Sequence, residues 1–252
     1  MIDLQWFHWA GIIVIGTLQG FLNTVAGGGS LIALPALTFL GLDLTIANGT
    51  NRISILLQSV SGAISFKKKG ALAFRSTLPL AAASTLGAVL GTFIAIQVDK
   101  KILNIVIAAL ISGMAVMLIA KPKMWEEQKA TKLPKAVIYA IFFAIGIYGG
   151  FIQAGVGFFF AWALVVAGGT DLVKGNAIKT IIIGSYTAIS LAMFMHKGLV
   201  HIPIGLALAI GSMIGANLGA RFTLAKGNTW VRWVLAIVVI VSAAKMVWDA
   251  VA

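Results

Sequence analysis

Asn23, the run Gly27-Gly28-Gly29-Ser30, and then Asn48, Thr50, Asn51 and Arg52 place a dense set of hydrogen-bonding groups inside otherwise apolar sequence. The second half of the chain offers Gln153, Gly155, Gly157, Asn176 and Lys179 in a comparable order. Three consecutive glycines carry a large helix penalty and release backbone groups from helical hydrogen bonding. Within a bilayer such backbone persists only where protein buries it or a wet cavity solvates it. With Ser30 as cap, free N–H groups at the start of a half-helix and the positive end of its dipole would form an anion site. Asn and Thr side chains would add donors, and an intramembrane Arg or Lys usually marks an ion or substrate path. A plain glycine hinge would also explain one break. Breaks at matching points of both halves favour a site. The run is not a nucleotide-phosphate loop, because no Gly-Lys-Ser/Thr closes it.

The elements that position these residues are membrane helices. The 252 residues are 60% hydrophobic and 10% charged, against roughly 45–50% and 25% in soluble domains. Apolar runs long enough to span a bilayer recur from end to end. The expected helices are Leu4–Ala26, Leu44–Phe66, Leu78–Val98 and Ile102–Ala120, then Ala136–Gly155, Leu172–Met195, Ile202–Phe222 and Trp230–Ala250. Short pieces, Leu31–Leu40 and Phe158–Ala167, follow the two breaks. Each spans about half a membrane at about 1.5 Å per residue. The fold class is therefore an all-α polytopic integral membrane protein with roughly eight spanning segments in two repeats of about four. Repeat 1 covers residues 1–120, a basic cytoplasmic linker 121–135, and repeat 2 residues 136–252, all one membrane domain. Residues 1–26 lack a basic leader and an obvious cleavage site, so the first segment is expected to stay as a helix.

Internal duplication is read from ordered matches. An offset of 128 aligns Asp43-Leu44 with Asp171-Leu172, Asn48 with Asn176, Phe66 with Phe194, and Lys69-Gly70 with Lys197-Gly198. Asn23 faces Gln153, while Arg52 aligns with Thr180 instead of Lys179. Orientation follows from charge. If each broken segment is a re-entrant hairpin, thirteen basic residues share one face: Lys67 to Lys69, Arg75, the five linker lysines, Lys174, Arg221, Lys226 and Arg232. Four full crossings per half divide the charges less decisively. The positive-inside rule thus favours an inverted repeat with both termini outside.

Composition also excludes functions. A net charge of +12 would suggest nucleic acid in a soluble protein, but here the charge sits in short loops and reads as topology. Cysteine is absent, which removes thiolate and disulfide chemistry. All seven acids lie in loops or at helix ends, so the carboxylate relay of cation and proton carriers is missing. Asp43 and Asp171 read as helix caps. His8, His196 and His201 are dispersed, and no catalytic set, metal site or cofactor is expected. Interfacial tryptophans and Gly-x3-Gly faces are accounted for by anchoring and helix packing.

With these residues in view, the chain resembles the sulfite exporter TauE/SafE family, also called the 4-toluene sulfonate uptake permease family. The resemblance rests on Gly20-Phe21-Leu22-Asn23, Ala26-Gly27-Gly28-Gly29-Ser30-Leu31 and Ala47-Asn48-Gly49-Thr50-Asn51, with a looser echo in Gly150-Phe151-Ile152-Gln153 and Gly155-Val156-Gly157. It implies a multi-pass permease of the bacterial inner membrane that moves sulfite, sulfonates, sulfoacetate or related small sulfur anions. Drive by an ion gradient, with proton or sodium as coupling ion, belongs to the same expectation. An anion-selective pore, or a carrier of another small organic anion, is the alternative reading. The expected partners are the anion, the lipid bilayer and, as an open possibility, a second copy in a homodimer; nucleic acid is not among them.

Overall fold

The computed structural model describes residues 5–68, 74–97 and 133–251, and every regular element in them is helical. The elements are α1 (Trp6–Val25), α2 (Ser30–Phe39), α3 (Leu44–Lys68), α4 (Phe74–Gln97), α5 (Lys135–Phe151), α6 (Val156–Trp162), α7 (Leu172–His196) and α8 (Ile202–Val251). A π-helical turn, Ala163–Ala167, continues α6. Gly227, at φ 73° and ψ −169°, bends α8, close to the expected division between the last two helices. The expected helix Ile102–Ala120 and linker residues 121–132 lie outside the described residues.

Among the described residues, three helices are long and apolar enough to cross a membrane: Thr77–Gln97, Leu172–His196 and Ile202–Gly227. Helix α3 is as long as α7, at 25 residues each, but its inward stripe is polar. Asn48, Thr50, Asn51, Arg52, Ser54, Gln58 and Ser59 are all buried on it. Lipid-facing positions elsewhere stay apolar, with Leu86 and Phe93 of α4 and Ile214 and Leu218 of α8 exposed. Exposed apolar groups on long helices are what a bilayer solvates.

The helices pair across the chain. Helix α1 lies along α8 in the same direction, Gly16 against Leu208 and Gly20 against Ser212. Helix α5 lies along α4 likewise, Gly146 against Ser84 and Gly150 against Ala88. A Cβ at Gly20 would sit 2.0 Å from the Ser212 carbonyl oxygen, so glycine sets how closely the backbones approach. Helices α3 and α7 run antiparallel. The start of α3 meets the end of α7 through Gly49 and Phe194, while Phe66 and Ala177 pack together at the other end.

Directions within the hairpins follow from these contacts. Gln19 of α1 reaches Asn51 of α3, and Thr24 lies near Gly62, so α1 and α3 run the same way. Since only four residues separate the end of α2 from the start of α3, α2 returns towards the end from which α1 entered. The chain folds back at Gly29, whose Cβ would meet the Gln19 carbonyl oxygen at 2.1 Å.

Candidate functional site: two helix breaks in contact

Helix α1 stops where Gly27 turns to φ 102°. The N–H groups of Ala26 and Gly27 both donate to the Leu22 carbonyl at 2.8 Å. Asn23 then reaches across the break, its Oδ1 accepting from the Gly29 N–H at 2.7 Å. Ser30 was expected to cap α2. Instead Gly29 occupies the cap position without side-chain capping, and the Ser30 hydroxyl accepts from Asn51 Nδ2 at 3.2 Å. The helix begins at Ser30 itself, so Ser30 is not in the cap position, and the fold-back brings Asn23, six residues upstream, to the Gly29 N–H.

Helix α5 stops at Phe151, four residues earlier than expected, because Gln153 adopts φ 64° and Gly155 φ 69°. A left-handed glutamine is strained. Two bonds hold it: Gln153 Nε2 donates to Thr187 Oγ1 at 2.9 Å, and the Tyr148 hydroxyl donates to the Ala154 carbonyl. The two breaks touch. A Cβ on Gly157 would lie 2.3 Å from Gly27 Cα.

Each break is closed by residues of the opposite half. Asn48 of α3 donates to the carbonyl of Phe151, the last residue of α5, at 2.9 Å. Asn176 of α7 donates to the carbonyl of Val25, the last residue of α1, at 2.8 Å. The cations follow the same crossing. Arg52 donates to the carbonyls of Gly149, at 3.5 Å, and Gly150, and its guanidinium lies 4.8 Å from the centre of the Phe194 ring. Lys179 Nζ donates to Asn176 Oδ1 at 2.6 Å and to the Thr24 carbonyl at 3.4 Å. A cation at a helix C-terminus compensates the negative end of the dipole and the unpaired carbonyls there. The sequence placed Arg52 and Lys179 beside their own half's break as anion ligands. The structure gives their outer N–H groups carbonyl partners across the molecule.

Charge remains unbalanced. Arg52 and Lys179 are each 0% exposed, and among the described residues no carboxylate is buried. Asp43 and Asp171 serve as caps, accepting from the N–H of Thr45 at 2.9 Å and of Lys174 at 2.8 Å. Several buried polar atoms around the breaks also lack partners: Asn23 Nδ2, Asn48 Oδ1, Arg52 Nε, Gln153 Oε1 and the Tyr186 hydroxyl. In a dry interior each would carry a desolvation penalty of about 1–3 kcal/mol. Asn23 Nδ2 and Arg52 Nε are donors, whereas Asn48 Oδ1 and Gln153 Oε1 are acceptors.

Of the residues expected at the site, Asn23, Gly27, Gly29, Ser30, Asn48, Asn51, Arg52, Gln153, Gly155, Gly157, Asn176 and Lys179 line or close the breaks. Gly28, between Gly27 and Gly29 in the first break, is buried. Thr50 is turned away, its hydroxyl accepting from the His201 N–H at 2.8 Å. Gln19 was missed. Its Nε2 donates to Asn51 Oδ1, and Ser54 bridges Gln19 Oε1 at 3.4 Å and Ser212 Oγ at 2.8 Å. Its signal was present, since Gln19 stands one helical turn before Asn23 and shares its face. Tyr186 and Thr187 were missed as well, being mid-helix polar residues of α7. Among the described residues no three metal-ligating side chains gather.

Crossed helix breaks, a buried polar centre and long apolar helices define an all-helical protein suited to a membrane. A family model for the sulfite exporter TauE/SafE matches residues 12–246. The chain belongs to that family. It is 30% identical to a probable membrane transporter protein, ORF9, of Sinorhizobium over 99% of this chain and 96% of that one. A probable membrane transporter protein of Haemophilus influenzae is 29% identical over 94% of each chain. YfcA, a probable membrane transporter protein of Escherichia coli, is 27% identical over 94% of this chain and 89% of its own. No solved structure matches the chain.

Proposed function

We propose that the protein is a secondary permease for a small sulfur-containing anion, such as sulfite, a sulfonate or sulfoacetate, held where the two helix breaks meet. The observation that carries this reading is the buried pair Arg52 and Lys179, with no buried carboxylate among the described residues. Two buried cations at a break are costly without an anion, and partly unpaired donors beside them suit oxyanion oxygens. The family's own description, sulfite exporter, points to the same class of cargo.

The proposed architecture is an inverted repeat of two re-entrant hairpins, each followed by membrane-spanning helices. It is supported by the antiparallel α3 and α7, and by the exchange of partners in which α1 packs on α8 and α5 on α4. Lys67, Lys68, Lys135, Lys174, Arg221 and Lys226 then lie on one side of a bacterial inner membrane, the cytoplasmic one by the positive-inside rule. Both termini face outwards. Alternating access is movement of one half against the other across the Gly27–Gly157 contact, driven by an ion gradient.

Proteoliposomes test this. Preloaded with unlabelled sulfite, they should take up labelled sulfite by saturable counterflow, and Arg52→Gln should abolish it. Counterflow of an amine with every anion inert would overturn the substrate class. Ohmic current without counterflow would replace the carrier with a pore.

A further inference from the structure

A surface groove between α3 and α8, separate from the breaks, is built for a different ligand. It encloses about 240 Å³ and is lined by Val60, Ser61, Ile64, Ser65 and Lys68 of α3 and Met213, Asn217, Arg221 and Leu224 of α8. The lining is graded along the helices. Lys68 and Arg221, both exposed, lie towards one end on the basic face, with Ser65 and Asn217 beside them and Leu224 one turn beyond. The other end is apolar and open to the bilayer, Val60 being 49% exposed, Ile64 50% and Met213 39%. The Ser61 hydroxyl, donating to the Met213 carbonyl at 3.0 Å, ties the groove floor together. Among the described residues no carboxylate contributes to the lining.

We propose that this groove binds an anionic phospholipid, with its phosphate between Lys68 and Arg221 and an acyl chain along Val60, Ile64 and Met213. From Lys68 to Val60 is eight residues of helix, about 12 Å at about 1.5 Å per residue, which carries the groove from headgroup level into hydrocarbon. A small soluble anion would use the cations and gain nothing from the apolar slot. A phospholipid uses both, and basic pockets between helices at the cytoplasmic interface suit anionic headgroups. Because α8 packs against both α1 and α3, a lipid here would brace the helices that hold the first break.

Thermal unfolding of the detergent-purified protein during titration with phosphatidylglycerol tests the assignment. Phosphatidylglycerol should raise the melting temperature saturably. Phosphatidylcholine with the same chains, and inorganic phosphate, should not. The double variant Lys68→Gln/Arg221→Gln should bind roughly thirty-fold more weakly, given the loss of two interfacial charges. Lys67→Gln, an exposed charge outside the groove, should leave the shift intact. Val60→Trp, which fills the slot but keeps both cations, should abolish it and so reports on the groove even if the double variant fails to fold. An equal shift with phosphatidylcholine would overturn the headgroup assignment. A shift reproduced by phosphate alone would make the site one for a free anion. Retention of the shift in both the double variant and Val60→Trp would overturn the groove.

Discussion

Gly157→Ala is the most direct probe of the contact between the two breaks. The added Cβ would lie 2.3 Å from Gly27 Cα and 2.9 Å from the Gly27 carbonyl oxygen. Ordinary contact between carbons is about 3.5–4.0 Å, so the breaks would have to separate by roughly 1.2–1.7 Å. The obstacle is backbone, which cannot swing away like the tip of a side chain. Overpacking of this kind destabilises by about 1–3 kcal/mol, or roughly 2–4 °C of melting temperature per kcal/mol for a chain this long. The separation would also stretch the Asn48–Phe151 and Asn176–Val25 bonds, now 2.9 and 2.8 Å, towards the limit of about 3.5 Å. Transport should therefore fall about tenfold or more in proteoliposome uptake. Gly11→Ala is the matched control. Nothing lies within 4 Å of its Cβ position, so helix propensity should leave it neutral or stabilised by about 0.5–1 kcal/mol. Wild-type melting and uptake in Gly157→Ala would refute the contact and the binding centre built on it.

Three further outcomes follow from the crossing. Arg52→Lys keeps the charge but cannot fork between the Gly149 and Gly150 carbonyls, so uptake should fall about tenfold even though Lys and Arg count as conservative exchanges. Asn176→Ala should destabilise by about 2.5–4 kcal/mol and Asn48→Ala by about 1 kcal/mol in thermal melts, because Asn176 serves both the Val25 carbonyl and the Lys179 ammonium; equal effects would refute the paired role. Gln153→Gly should melt higher than Gln153→Ala by an amount equivalent to about 1 kcal/mol, since both lose the Thr187 bond but only glycine adopts φ 64° without strain; the reverse order would show that the left-handed turn is not retained.

What the sequence determined by itself is local or periodic. Long apolar runs demand helices in a membrane because backbone polar groups must be satisfied within the segment, and the limits of α3, α4 and α7 fall within a few residues of those read from hydrophobicity. Gly27 and Gly155 mark the breaks because left-handed backbone is open to glycine at little penalty. Asp43 and Asp171 cap because their reach is two or three residues. Chain-local chemistry of this kind needs no knowledge of the fold. Tertiary structure decided which groups meet. Asn48 and Phe151 are 103 residues apart, and Asn176 and Val25 are 151 apart, so no local pattern announces that each half closes the other's broken helix. The local fold-back set Asn23 against the Gly29 N–H and left Ser30 to Asn51, while longer-range packing turned Thr50 towards His201 and joined Gln19 to Asn51. A buried polar residue goes to whichever unpaired partner the fold brings within about 3 Å, and for Asn48, Arg52 and Asn176 those partners come from the opposite half of the chain.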